Sequence, residues 1–302
     1  MSQPHPAAAP GCPKPGPEPH VDRYVVAGNP VGHSQSPFIH AAFAQQTGQA
    51  MEYGRLHCDF DAFEATLQAF ADAGGRGCNV TMPFKFDAFR LAATRTERGE
   101  LAGACNALRR EGSTWRGDNT DGAGLLRDIE RNAGVALRGA RILLIGAGGA
   151  ASGVLGPLLA ARPAELVVAN RTLAKAVDLL CTHRAALTAQ RDRSLVLRAA
   201  PLDDCGDSYD IVLNGTASSV QGAGVPVSAG VLRPGTLAID MMYGPAARPF
   251  LTWAETSGAV ARDGLGMLVE QAAEAFAWFR GVEPETASVL AALRQRMKAQ
   301  TP

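Results

Sequence analysis

The chain has 302 residues, 46% of them apolar and 19% charged, with 29 basic residues against 29 acidic ones. That length can bury two cores of ordinary domain size, and the neutral balance excludes the electrostatic footprint of a nucleic-acid or anionic-membrane binder. The apolar runs are strand-length and too short for a bilayer span, and the scattered cysteines (Cys12, Cys58, Cys78, Cys105, Cys181, Cys205) show no C-x-x-C pair, which disfavours a disulfide framework or a zinc site and suits reduced cytoplasmic thiols.

Residues 1–20 are dense in Pro and Ala and have no apolar periodicity, the composition of a disordered tail. No basic segment followed by an apolar one precedes the folded part, so no secretory leader is expected and the location is expected to be cytoplasmic. The first strand is Tyr24 to Gly28. It enters the loop Asn29-Pro-Val-Gly-His-Ser34-Gln-Ser36-Pro37, with Ser36 placed to cap a helix over Phe38 to Gln46 and Pro37 in its first turn. Met51 to Phe60 alternates as a strand, and Phe63 to Ala71 spaces its apolar residues as a helix. Gly77 to Lys85 reads as a short strand, a loop and a helix start. Gly103 to Leu108 and Thr114 to Gly122 read as a hairpin and its exit.

A helix over Asp121 to Asn132 then leads to the stretch that organises the chain. Ile142 to Ile145 is an apolar run suited to a strand buried on both faces. Gly146, Ala147, Gly148, Gly149 and Ala150 follow, then an Ala-rich helix. Glycines at a strand-to-helix turn let backbone amides and the helix N-terminus face a pyrophosphate. The pattern is imperfect, because Ala151 stands where the third glycine of G-x-G-x-x-G belongs. A second strand, Glu165 to Asn170, ends roughly two dozen residues beyond Gly146, where dinucleotide folds place the side chain that reads the ribose. Further elements are a helix over Leu173 to Leu180, strands over Tyr209 to Leu213 and Thr236 to Asp240, and helices over Leu265 to Phe279 and Pro284 to Lys298. The reading is α/β: a first lobe over 21–120, a Rossmann-type nucleotide domain over 121–262, and helices over 263–302 returning to the first lobe. A chain that crosses twice between lobes frames a hinged cleft.

Several polar residues sit at strand ends. Ser34 and Ser36 could serve only as turn and cap donors, or could face a substrate carboxylate. Asn79, Thr81 and Lys85 share one strand-loop unit. Asn106 lies in an otherwise apolar strand, where an amide is costly unless paired. Asp121 lies in a turn-forming hexapeptide, and Gln271 on the apolar face of a helix. Taken singly, each has a bland structural explanation.

Six motifs in order give a sharper reading: Asn29 to Pro37, Asn79-Val-Thr-Met-Pro-Phe-Lys85, Gly117-Asp-Asn-Thr-Asp-Gly122, Gly146 to Ala150, Asn170-Arg-Thr172 and Asp263 to Ala273. Together they resemble the shikimate dehydrogenase family, over about Arg23 to Gly281. The resemblance implies NADPH-dependent reduction of 3-dehydroshikimate to shikimate, on the route to chorismate and aromatic amino acids, in a cleft between two lobes. It implies Lys85 and Asp121 as the catalytic pair, Ser34 and Ser36 on the carboxylate, and Asn79, Thr81, Asn106 and Gln271 on the ring hydroxyls, with Tyr243 nearby. NADP(H) would lie on Gly146 to Ala150, Asn170, Arg171, Thr172, Lys175 and Gly264. No metal is implied, and the assembly would be a monomer or homodimer.

The cofactor choice has its own argument. An acidic side chain after the second strand would bond a ribose hydroxyl and repel a 2′-phosphate. Asn170, Arg171, Thr172 and Lys175 stand there instead. Departures from the family pattern include Lys175, where a second arginine is common, Cys105 and Ala107 around Asn106, and Gln221. Two alternatives stand beside this reading: a quinate/shikimate dehydrogenase using NAD, and a silent regulator that binds nucleotide or substrate without turnover.

Overall fold

In the computed structural model, which describes residues 21–190, 195–216 and 224–300, twelve strands form two six-stranded sheets. The tail over 1–20 and Gln221 lie outside the described residues. The first sheet holds β1 (Asp22–Gly28), β2 (Met51–His57), β3 (Gly75–Val80), β4 (Thr94–Arg95), β5 (Ala107–Glu111) and β6 (Thr114–Asp118), in the order β2-β1-β3-β5-β6-β4. β1, β2 and β3 are parallel; β5 and β6 form the antiparallel hairpin expected from the sequence. Helices α1 (Ser36–Thr47), α2 (Phe63–Asp72), α3 (Lys85–Leu91) and α4 (Glu97–Ala102) connect them.

The second sheet is wholly parallel, in the order β12-β11-β10-β7-β8-β9. Its strands are β7 (Arg141–Ile145), β8 (Glu165–Ala169), β9 (Val196–Ala200), β10 (Ile211–Asn214), β11 (Leu237–Asp240) and β12 (Val260–Arg262). Ile142, Leu144, Leu166 and Val168 bury one face and Leu143, Ile145, Val167 and Val212 the other. Central parallel strands covered by helices on both sides need such unbroken apolar runs, and each fully buried side chain stabilises by about 1.5–3 kcal/mol. The crossover direction reverses between β7 and β10, the point at which open α/β sheets bind ligands.

Helices α5 (Asp121–Arg127), α6 (Gly149–Ala160), α7 (Leu173–Gln190), α8 (Arg248–Thr256), α9 (Leu265–Arg280) and α10 (Ala287–Gln300) complete the chain. α5 runs into one π-helical turn, Asp128–Asn132. Ile39 and Phe43 of α1 share a core with Val269 and Phe276 of α9 and Val289 and Leu293 of α10. Arg280, in the last turn of α9, bonds Asp22 at 2.5 Å and Gln49 at 2.9 Å, which pins the helix end beside β1 and β2.

Where α5, α6 and α9 meet, glycines set the spacing. A Cβ on Gly124 would lie 2.6 Å from the Gln271 backbone, one on Gly122 2.3 Å from Pro157, and one on Gly153 2.8 Å from Asn119. A larger residue would meet backbone at Gly122 and Gly124, and the packed Asn119 and Asp121 side chains at Gly153.

Three details differ from the sequence reading. Ser36 is the first residue of α1 and not its cap; Gln35 precedes the helix and makes no side-chain cap bond. The cap bond comes from one residue further back, since the Ser36 amide donates to Ser34 Oγ at 3.3 Å. Asn106 stands just before β5 instead of within it. α7 reaches Gln190, because the Ala-rich sequence after Leu180 continues to favour helix.

Candidate active site

A cavity of about 560 Å³ opens between the two sheets. Its walls come from the loops that follow the carboxyl ends of β1, β3, β7, β8, β10 and β11. Among the described residues no helix is long and apolar enough to cross a membrane, and no cluster of three His, Cys, Asp or Glu could hold a metal.

One wall is the glycine loop. Gly146 has φ 110°, a conformation open to glycine, and a Cβ there would lie 3.1 Å from the Gly215 carbonyl. Gly148 faces open space, and α6 begins at Gly149 with its N-terminus toward the cavity. This is a cradle for a dinucleotide's phosphates. Asn170, Arg171 and Lys175 line the same cavity, and both cations are exposed. Thr172 does not line it; its carbonyl accepts a 2.9 Å bond from the Asn170 amide. Gly264 does, with its amide donating to Met242 and a would-be Cβ only 2.4 Å from the Met241 carbonyl. The residues present fit a dinucleotide with a phosphorylated ribose.

Beside the glycine loop lies the charged pair. Lys85 Nζ bonds Asp121 Oδ2 at 2.5 Å, with 15% and 6% of the side chains exposed. Lys85 opens α3, and three anchors hold it. Phe84 is buried and stacks on Phe63 at 4.7 Å, Thr81 bonds the end of β1 through its amide, and the Lys85 carbonyl accepts from Cys105. The peptide between Met82 and Pro83 is cis. Asp121 is fixed from the other side: its amide bonds Asn119 Oδ1 at 3.1 Å, and its Oδ1 accepts from Asn106 Nδ2 at 2.9 Å. A Cβ on Gly149 would lie 3.4 Å from the aliphatic stem of Lys85, so the lysine packs beside the glycine loop.

Asn106 is 2% exposed and its amide is spent inside the protein. Its oxygen accepts from the Thr120 amide at 2.8 Å, while its nitrogen also donates to Gln271 Oε1 at 3.2 Å. In this structure it brackets Asp121 and Gln271. Gln271 in turn donates to the Leu268 carbonyl at 2.9 Å.

Asn79 is oriented differently. Its nitrogen donates to the Asn106 carbonyl at 3.3 Å, and its oxygen accepts from Tyr53 at 2.7 Å. A carbonyl can only accept, so the amide cannot flip, and the side chain lines the cavity in that orientation. The Tyr53 ring stacks at 4.0 Å on His40, whose ring nitrogens are buried without a hydrogen-bond partner. Burial drives the His40 pKa down to about 3, outweighing the Asn79 side chain beside it, so the ring is a neutral plate.

Ser34 and Ser36 line the far end, 3.1 Å apart through their hydroxyls. Tyr243 lines it too. Burial raises its phenol above the ordinary value, opposed by a bond from the Gln35 amide and by the charge of Arg55. The Arg55 guanidinium holds the Ser34 carbonyl through Nε at 3.1 Å and Nη2 at 2.5 Å.

Thus all the residues singled out in the sequence except Thr172 meet in one cavity. Sequence reasoning missed His40, Tyr53 and Arg55, and also Thr216, Met241 and Met242 on the cofactor side of the wall. Thr216 had a signal, since it follows the end of a strand that pairs with β7. Tyr53 and Arg55 had only the period-two pattern of an edge strand, which hides roles fixed by contacts with distant segments.

Comparison with known proteins agrees with this arrangement. Residues 26–108 match the shikimate dehydrogenase substrate binding domain, residues 128–221 the shikimate / quinate 5-dehydrogenase family, and residues 264–294 the shikimate 5′-dehydrogenase C-terminal domain. A shikimate dehydrogenase (NADP(+)) of Methylibium petroleiphilum is 61% identical over 279 residues, 90% of this chain and 94% of its own length. One from Cupriavidus taiwanensis is 50% identical over 93% of this chain and 96% of its own. Among solved structures, the Ael1 enzyme of Pseudomonas putida is 48% identical, with a TM-score of 0.79 over 90% of this chain and 98% of its own. Shikimate 5-dehydrogenase of Thermus thermophilus, solved with NADP(H) and shikimate, is 28% identical, with a TM-score of 0.78 over 91% and 99%. Matches that span both sheets and the returning helices, at identities well above what the fold alone would give, lead to one conclusion: the chain belongs to the shikimate dehydrogenase family.

Proposed function

We propose that this chain catalyses the reversible NADPH-dependent reduction of 3-dehydroshikimate to shikimate, with the lobes divided at about residues 120 and 262. The observation that carries the reading is the buried Lys85–Asp121 pair, 2.5 Å apart and beside the glycine loop in one cavity. The chemistry supplied by the bound dinucleotide is hydride transfer at its nicotinamide ring. As charge develops on the substrate's carbonyl oxygen, the Lys85 ammonium stabilises it and provides the proton. Asp121 holds Lys85 in place, and Asn106 holds Asp121. Asn79 donates to a ring oxygen, with Thr81 and Gln271 completing the ring contacts. Ser34 and Ser36 hold the carboxylate, Tyr243 closing that end.

Spectrophotometry of the purified protein with shikimate and either NADP or NAD tests this directly. Shikimate-dependent reduction of NADP is the expected result. No turnover with either nucleotide would favour a binding protein, and preference for NAD the quinate/shikimate type of relative.

The carboxylate contact has its own test. Exchanging both Ser34 and Ser36 for Ala raises KM for shikimate, because each hydrogen bond to a charged group is worth about 1.5–3 kcal/mol. An unchanged KM would leave these hydroxyls with only their bond to each other and to the α1 backbone.

Cofactor preference rests on Arg171 and Lys175 at the exposed rim, with no carboxylate at position 170. The double change Asn170→Asp and Arg171→Ala lowers the preference for NADP over NAD by about ten- to a hundredfold, the loss of a charged contact. The ratio of kcat/KM for the two nucleotides reads it. Equal use of both by the unaltered protein would defeat the argument.

A further inference from the structure

Every group so far placed around the substrate carboxylate is neutral. Moving a carboxylate out of water without a nearby cation is costly, which raises the question of where the compensating charge lies. Lys85 is committed to Asp121 beside the glycine loop. Arg55, on the edge strand β2, is the cation that reaches the serine end, and its fork closes on one atom there, the Ser34 carbonyl oxygen.

We infer that Arg55 is the charge of the carboxylate subsite, acting at one remove through the Ser34 peptide. This inference rests on the functional reading above. The bidentate grip does two things. It fixes the Ser34 backbone, and with it the Ser34 hydroxyl that accepts from the Ser36 amide. It also brings a permanent positive charge to the end of the cavity where Ser34, Ser36 and Tyr243 converge. The charge lies beside the backbone of a residue that lines the cavity, and its direction of effect on the Tyr243 phenol, opposing burial, agrees with that placement. Arg55 itself is exposed, so water and salt screen part of its field. It is a positioning residue with an electrostatic part, and no contact with the substrate is required of it.

The two roles separate by using a substrate without the charge. Steady-state kinetics are measured for the unaltered protein, Arg55→Gln and Arg55→Lys, with shikimate and with its methyl ester, at low and high ionic strength. For shikimate, Arg55→Gln raises KM about fivefold, as one partly screened charge would, and the loss falls on KM, leaving kcat little changed. Arg55→Lys, which keeps the charge without the planar fork, recovers part of it. High salt raises the KM of the unaltered protein toward that of Arg55→Gln. For the methyl ester, the loss in Arg55→Gln is smaller than for shikimate, by the share that the charge contributes, and what remains is the loss of the Ser34 brace. Equal losses with acid and ester would overturn the inference and leave Arg55 as a loop brace; so would a shikimate KM unchanged in Arg55→Gln. If the unaltered protein did not oxidise shikimate at all, the functional reading would fail first, and that outcome is visible before any variant is compared.

Discussion

Lys85→Ala lowers kcat by about 10²–10⁴-fold, the usual contribution of a positioned acid–base group. The Lys85 side chain is 15% exposed and its ammonium is held by Asp121 at 2.5 Å, and water filling the space left by truncation would bring neither the fixed positive charge nor the positioned proton. NADP affinity stays close to that of the unaltered protein, since the phosphate cradle is formed by backbone around Gly146 and Gly149. Asp121→Asn also lowers kcat. The double variant loses less than the product of the two single losses, because Lys85 without Asp121 is already misplaced. The measurement is kcat and KM for the four proteins over a range of pH, beside NADP binding by titration. A near-normal kcat in Lys85→Ala would end the proposed mechanism.

The second large effect is on stability. Asp118 is fully buried and receives Arg98 Nη2 at 2.5 Å and Nε at 2.7 Å, Thr96 Oγ1 at 2.5 Å and the Asn119 amide at 2.8 Å. Arg98 also bonds Glu274 on α9 at 2.6 Å, and Arg127 of α5 meets the same carboxylate at 2.7 Å. Arg98→Met removes the cation and strands a carboxylate in the interior. Breaking a buried pair from one side costs about 3–5 kcal/mol, read from the urea midpoint at neutral pH. Adding Asp118→Asn to Arg98→Met restores part of the loss, because the orphaned charge is then gone. A change below about 1 kcal/mol in Arg98→Met would show that water reaches Asp118 and screens it.

The central strands and the cavity loops were legible because their chemistry is local. Ile142 to Ile145 is apolar whatever surrounds it, and Gly146 must be glycine because of its own φ. Edge elements were not. β4, β9, α8 and β12 are short or half-exposed, and their identity depends on strands and helices far away in the chain. The same limit explains the site. Lys85 and Asp121 stand out through loop composition, whereas Tyr53, His40 and Arg98 act through partners 26, 13 and 20 residues away. Asn106 shows the limit from the other side: a polar residue among apolar ones announces a partner, but only the coordinates say that the partners are Thr120, Asp121 and Gln271.

The glycine-set contact of α5, α6 and α9 also bears on how the cleft can move. Asp121 begins α5, and the would-be Cβ of Gly153 on α6 lies 3.0 Å from its carboxylate. The carboxylate therefore sits where α5 and α6 pack most closely. In any rigid rotation, displacement grows with the length of the lever arm. A rotation of the lobes about this contact would displace Asp121 least and residues farther from it more. Opening of the cleft for cofactor exchange would then leave the proton-handling carboxylate close to its place.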